Sequence, residues 1–253
     1  MTTDHQIAST PVRSRTSHFW RDTAVIVIIA LVLSSLVRTF LFQAFYVPSG
    51  SMLPTLQLND RIVASKLIGS HVARGNIVVF RDPGGWLSPT VEPTGPAGGL
   101  RSFLTLVGLL PSDSGDDLVK RVIGMPGDRV VCCNARQQIT INGVALNEPY
   151  LAPGGTAQVQ FDITVPADRI FVMGDHRGDS EDSRFHLQIA NGTVPLSNVV
   201  GPVIAVVWPL GRFQRFSVPD TFANPQLHAQ GATAPAPNPS VSGEAPAGPV
   251  GPG

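Results

Sequence analysis

"TAVIVIIALVLSSLVRTFLFQAFYVPSGSMLPTL", Thr23–Leu56, changes character half-way along. From Ala24 to Phe45 it is nearly all apolar, close to the ~20 residues a membrane helix needs. From Tyr46 it holds two prolines and two serines around one glycine. Val47 precedes a proline and is pushed to an extended conformation. Gly50 permits a sharp bend, and Pro54 stops a helix from running through. The stretch therefore predicts a membrane helix that leads at once into a tight turn displaying Ser51, with Ser49 close by. Arg38 interrupts the apolar run. At ~1.5 Å per residue it sits ~21 Å from Ala24, near enough to the far interface to snorkel. A soluble core helix would show a polar face at helical spacing, and none appears. A cleaved leader would end in a small-x-small pair, whereas "FLFQAFYV" is bulky. Arg13, Arg15 and Arg21 precede the span, which places the N-terminus in the cytoplasm and everything after Tyr46 outside.

Beyond the turn the chain reads as mainly β. "DRIVASKLI", "GNIVVFRDP", "LVKRVIGMPGDRVVCC", "RIFVMGD" and "NVVGPVIAVVWPL" are rich in β-branched residues and bounded by turn formers. Pro126-Gly127-Asp128 marks one turn and Asn142-Gly143 a hairpin. The organisation expected is a polar cytoplasmic N-terminus (1–22), a transmembrane anchor (23–45), an extracytoplasmic all-β domain (46–222) and a disordered tail (223–253) rich in Pro, Ala and Gly. Within the domain, 84–117 is a loop or insert. It carries the apolar segment Leu100–Leu110, too short to span a membrane.

The 253 residues carry 18 basic and 18 acidic side chains, so no broad field attracts nucleic acid. The 23 prolines and 25 glycines favour turns and β structure over a helical bundle. Cys132 and Cys133 are adjacent. Across a trans peptide their Cα atoms would lie ~3.8 Å apart, below the usual disulfide range, so two thiols are expected. With no histidine nearby they make no zinc site, and no metal or other cofactor is called for.

A displayed serine needs an activating base. Neither G-x-S-x-G nor S-x-x-K occurs. Lys66 and Lys120 are the only lysines; every other basic residue is arginine, a poor proton acceptor. In "LVKRVI" as a strand, Lys120 shares a face with Leu118 and Val122, while Arg121 points the other way. An apolar face desolvates the ammonium and lowers its pKa toward that of a useful base. Lys66, beside Ala64 and Ile68, fits the same pattern. Periodicity does not choose between them.

Four blocks, in order behind the apolar run, resemble the type I signal peptidases: "PSGSMLPTL" (48–56), "NDRIVASKL" with "RGNIVVFRDP" (59–83), "KRVIGMPGD" (120–128) and "GDHRGDSEDSR" (174–184). The resemblance runs from about Phe19 to Phe216 and looks most like actinobacterial members. It implies a membrane-bound serine endopeptidase that cuts signal peptides from exported preproteins after a small-x-small (Ala-x-Ala) site. Ser51 matches the nucleophile and Lys120 the general base. Ser49 matches the hydroxyl that joins the Ser51 amide in the oxyanion hole, and Ser180 the serine that orients the lysine. Asp182 and Arg184 match structural supports of the site, and Met52 and Pro54 match positions that shape the turn. Lys66 does not match the family's base. Preproteins with signal peptides, membrane lipid and proximity to the secretion translocon are the partners implied. His176 stands where many members have asparagine, and the adjacent cysteines are not the spaced pair of some relatives. Two other readings remain: a serine-lysine protease of the self-cleaving repressor type, and a membrane-tethered binding domain without catalysis.

Overall fold

The structure, a computed structural model, describes residues 16–67, 72–87, 116–154 and 159–229. The first element is a helix, α1 (Thr16–Phe40). Twelve strands follow: β1 (Phe42–Tyr46), β2 (Arg61–Ser65), β3 (Ile77–Arg81), β4 (Asp117–Gly124), β5 (Arg129–Cys132), β6 (Thr140–Ile141), β7 (Val144–Ala145), β8 (Phe161–Thr164), β9 (Arg169–Met173), β10 (Val194–Pro195), β11 (Val199–Trp208) and β12 (Gln214–Arg215). The expectation of a mainly β domain holds. One sheet has the order β1-β2-β11-β3-β4-β9-β10, with β12 added to β11, and a second has the order β7-β6-β5-β8. The strand pairs are antiparallel.

Alternation explains how one strand serves two cores. In β3, Ile77 and Val79 join Phe45, Val47, Met52, Leu56, Ile62 and Val206 on one face of the large sheet. Val78 and Phe80 point the other way, to Trp86, Val122, Ile170 and Val172. A third cluster links the sheets through Ile123, Val130, Ile141, Phe161, Phe171 and Met173. Met125 to Asp128 closes β4 onto β5 as a turn, with Asp128 N–H donating to Met125 O at 2.9 Å and Gly127 at φ 86°. The hairpin expected at Asn142-Gly143 is present, with both residues at positive φ (53° and 82°) between β6 and β7.

Four boundaries or contacts differ from the sequence reading. The helix stops at Phe40, and Phe42–Tyr46, whose residues up to Phe45 are read above as part of the apolar span, is an edge strand paired with β2. Phe45 is 2% exposed there because it faces the core; its apolar character serves the domain. The tail does not start at residue 223. Asp220–Ala223 and Gln226–Ala229 are helical turns, and Phe222 and Leu227 are buried in the cluster between the sheets. Asn142 Nδ2 donates to Leu227 O at 2.9 Å, which fixes the segment. Cys132 and Cys133 are not two thiols. The peptide between them is cis, their Cα atoms are 3.0 Å apart, and the sulfurs are bonded. Trp86, in the segment read as a loop, is 6% exposed, edge-on to Phe80 and stacked on His186. The Leu100–Leu110 segment, residues 1–15 and the chain beyond 229 lie outside the described residues, as does the side chain of Arg38.

In α1 the side chains of residues 19–35 are described, and residues 19–34 are exposed. Among the described residues no helix is long and apolar enough to cross a membrane.

Leu227 is fully buried, so Leu227→Ala should cost about 2–4 kcal/mol of unfolding free energy. Urea unfolding followed by tryptophan fluorescence checks this; a solvated tail would show no change.

Candidate active site

Met52 and Leu56 anchor the turn after β1. Both are buried in the core beneath the large sheet, and Leu56 N–H donates to Met52 O at 2.9 Å. Between them Leu53 N–H closes on Gly50 O at 3.0 Å, and exposed Pro54 follows Leu53 through a cis bond. Ser51 sits at the near edge of this turn, 7% exposed. Lys120 arrives from the other side on β4, opposite Val78 of β3. Its face is the apolar one that alternation predicts, and it is 3% exposed. Nζ donates to Ser51 Oγ at 2.6 Å. Ser49 Oγ lies 3.4 Å from Ser51 Oγ.

Burial lowers the Lys120 pKa from 10.5 to about 8, because the charged form loses its hydration. Asp182 opposes that shift, Arg184 adds to it, and Asp179 and Glu181 oppose it. The balance keeps a substantial neutral fraction near pH 8.

The carboxylate closest to this balance is tied down elsewhere. Asp182 is fully buried and accepts from Arg184 Nε at 2.8 Å, Arg184 Nη2 at 2.9 Å, Gly174 N–H at 2.9 Å and Ser180 Oγ at 2.7 Å. Burial alone would raise its pKa. The Arg184 hydrogen bonds and charge, with Gly174 and Ser180, outweigh that and leave it lowered. Arg184 also reaches back to Arg177 O at 2.9 Å. Ser180 thus spends its proton on Asp182, and no direct hydrogen bond from Lys120 to Ser180 is formed among the described residues. Ser180 lines the same cleft with its lone pairs free to accept.

Three further contacts hold the two halves together, and the sequence reading named none of them. His176 N–H donates to Ser51 O at 3.0 Å. Thr55 Oγ1 donates to Asp175 Oδ2 at 2.5 Å, and Asp175 accepts both Arg121 Nε (2.8 Å) and Nη2 (2.6 Å). Gly174 carries no side chain for a physical reason: a Cβ there would lie 2.2 Å from Ser180 Oγ and 2.5 Å from Ser51 O. The alternation of β4, which turns Arg121 away from Lys120, was the available signal for the Asp175 pair; its partner, 54 residues away, was not visible.

The cleft of about 490 Å³ beside the two serines is lined by Ser49, Ser51, Lys120 and Ser180, by Trp86, Leu87, Leu118 and Phe185, and by Gly178, Asp179 and Glu181. Lys66, the other lysine candidate, lines a separate depression with Gln43, Arg81 and Asn198. Among the described residues no group of three or more His, Cys, Asp or Glu could hold a metal ion.

Comparison with known proteins identifies the family. The profile of the family described as "Signal peptidase, peptidase S26" matches residues 20–208. The chain belongs to that family. A signal peptidase I of Mycobacterium tuberculosis (strain H37Rv) is 35% identical over 223 residues, covering 76% of this chain and 74% of the relative. A signal peptidase I of Leptolyngbya laminosa is 32% identical over 197 residues, covering 77% and 82%. A solved signal peptidase I of Enterococcus faecalis V583 covers 52% of this chain and 95% of its own, at 24% identity and a TM-score of 0.34, an overlap too loose to bear on the fold or the site. Membership makes this chain a serine endopeptidase, a hydrolase.

The buried lysine of this peptidase has a stability cost with a definite sign. Unfolded, it holds its proton up to pH 10.5; folded, only up to about 8. Below pH 8 the folded state carries a buried charge, which costs about 3 kcal/mol. The cost fades as pH rises from about 8 to 10.5, so stability from this group rises with pH. Lys120→Met should therefore be more stable than wild type at pH 7, by up to about 3 kcal/mol, with the gap narrowing toward pH 10.5. Thermal unfolding of both proteins across that range reads the difference.

Proposed function

We propose that this peptidase removes N-terminal signal peptides from exported preproteins, cutting after a small-x-small (Ala-x-Ala) site with Ser51 as nucleophile and Lys120 as general base. The hydrogen bond of 2.6 Å from Lys120 Nζ to Ser51 Oγ, in a cleft that burial keeps poorly solvated, carries this reading. Neutral Lys120 takes the Ser51 proton as Oγ attacks the scissile carbonyl. The Ser51 N–H and Ser49 O–H stabilise the oxyanion; losing one such donor costs about 3–4 kcal/mol. The ammonium of Lys120 then protonates the leaving amine, and in the second half-reaction Lys120 takes a proton from the water that releases the acyl group. Asp182 and Arg184 hold Ser180 beside the lysine, and Met52 and Pro54 hold the turn.

The same reading assigns a single membrane anchor, with the N-terminus cytoplasmic and the β domain outside. Supporting it, α1 exposes apolar side chains in succession, among them Phe19, Trp20, Val25, Ile26, Val27, Ile28, Ile29, Leu31, Val32 and Leu33. Water would not tolerate such a surface. Trp208, Leu210 and Phe213, exposed at the end of β11 where Trp208 pairs with Arg61, supply an apolar rim suited to lipid contact. β1 follows α1 after one residue, so Ser51 stays within reach of the membrane, where a translocated signal peptide ends and where the secretion translocon delivers it.

Cleavage of a model preprotein bearing an Ala-x-Ala site, in detergent with lipid, tests the function. Ser51→Ala and Lys120→Ala should abolish cutting while Lys66→Ala retains it; cutting by Lys120→Ala would remove the base assignment. In wild type, kcat/KM should rise about tenfold per pH unit below 8 and level off above, because only neutral Lys120 accepts the proton. A flat profile from pH 6 to 9 would contradict that assignment.

A further inference from the structure

Asp179 and Glu181 line the cleft on the 3-10 turn and the bend that carry Ser180, and the mechanism uses neither. They flank the reacting groups. Asp179 Oδ2 lies against the serine turn, 3.3 Å from the point a Cβ on Gly50 would occupy. Glu181 Oε1 lies toward the Trp86 wall, 3.9 Å from Nε2 of His186, whose ring stacks on Trp86. Their side chains are 72% and 73% exposed, so both carboxylates are open to whatever enters. Apart from Lys120, they are the only charged side chains among the described residues that line the cleft.

The cations nearby do not neutralise them. Arg177 is spent on Glu148, Arg184 on Asp182 and Arg121 on Asp175. The two imidazoles sit beyond hydrogen-bond reach: His176 Nδ1 is 3.9 Å from Asp179 Oδ2, matching the Glu181–His186 separation. His186 is 8% exposed and its Nε2 is buried without a hydrogen-bond partner, facing Glu181. With Lys120 neutral, as the reaction needs, no cation among the described residues hydrogen-bonds either carboxylate, and each has an imidazole 3.9 Å away. Their field reaches the reacting centre, since both carboxylates oppose the lowering of the Lys120 pKa.

We infer that Asp179 and Glu181 select substrates by charge, favouring a basic side chain and rejecting an acidic one next to the scissile bond. This rests on the peptidase reading above and adds a specificity that small-residue recognition does not supply. Two segments equal in their small residues are then cut at different rates, according to the charge of the residue between the small pair or just after the cut. Exposed ion pairs are weak singly, and here a swap from lysine to glutamate exchanges attraction for repulsion at two carboxylates. The expected discrimination is about tenfold at low salt, shrinking as ionic strength rises.

Peptides with one Ala-x-Ala site would carry Lys, Gln or Glu at the middle position, or at the first position after the cut. Cleavage by full-length wild type and by the Asp179→Asn/Glu181→Gln double variant would be read at pH 9, where Lys120 is neutral in both proteins. Asparagine and glutamine keep the size of both exposed side chains, and circular dichroism checks the fold. The expected result is a Lys-to-Glu ratio in kcat/KM of about tenfold for wild type at one or both positions, falling within about twofold for the variant and in 1 M salt. A wild-type ratio within twofold at both positions overturns the inference, as does a variant that keeps the wild-type ratio. If the Gln peptides are not cut at all, the signal-peptide reading fails first, and this inference with it. Should the variant misfold, the wild-type ratio in 1 M salt decides: collapse supports the inference and persistence overturns it.

Discussion

The proposed role of Lys120 as a base near neutral pH requires burial without a carboxylate pairing it directly, and the arrangement around it meets that constraint. Were Asp182 to bond Nζ, the ammonium would be held charged and useless as a proton acceptor. Instead Asp182 is saturated by Arg184, Gly174 and Ser180, so its charge reaches Lys120 only as a field. Arg184 is needed in turn because Asp182, fully buried, would otherwise be an unpaired charge. Burial thus brings the lysine near neutrality; within the block of acids and arginines at 174–184, Arg184 adds to that shift and Asp182, Asp179 and Glu181 oppose it.

Position is secured by β structure. β3 lies between two cores and sets the register of β4, which turns Lys120 to one side and Arg121 to the other. Arg121 secures the frame. Its bidentate hold on Asp175, shared with Thr55, links β4, the end of β9 and the serine turn. Gly174 lets these parts come together, since any side chain there would collide with Ser180 and with the Ser51 carbonyl.

Much of this was legible along the chain because local rules govern it. The turn at Ser51 follows from Val47, Gly50 and Pro54, and the facing of Lys120 follows from strand alternation. Asn142-Gly143 announced its hairpin. Apart from the adjacent cysteines, the misreadings share a cause: each involved an apolar residue whose partner is distant in sequence. The stretch from Phe42 to Phe45 reads as the end of a membrane span until β2 pairs with it. Leu227, set among prolines and polar residues, gave no sign that it fills the space between the sheets. Trp86 reads only as part of a loop because Phe80 and His186, which enclose it, cannot be placed beside it from the sequence.

By itself, then, the sequence determined the fold class, the displayed serine and a choice of two lysines, since turn chemistry and periodicity act over a few residues. Resemblance to a family favoured Lys120. Only the tertiary structure decided that Lys120 meets Ser51 while Lys66 lies in another depression, and that Asp179 and Glu181 face the same cleft. These are matters of distance between segments up to about 130 residues apart, and burial and charge balance exist only once those segments have packed.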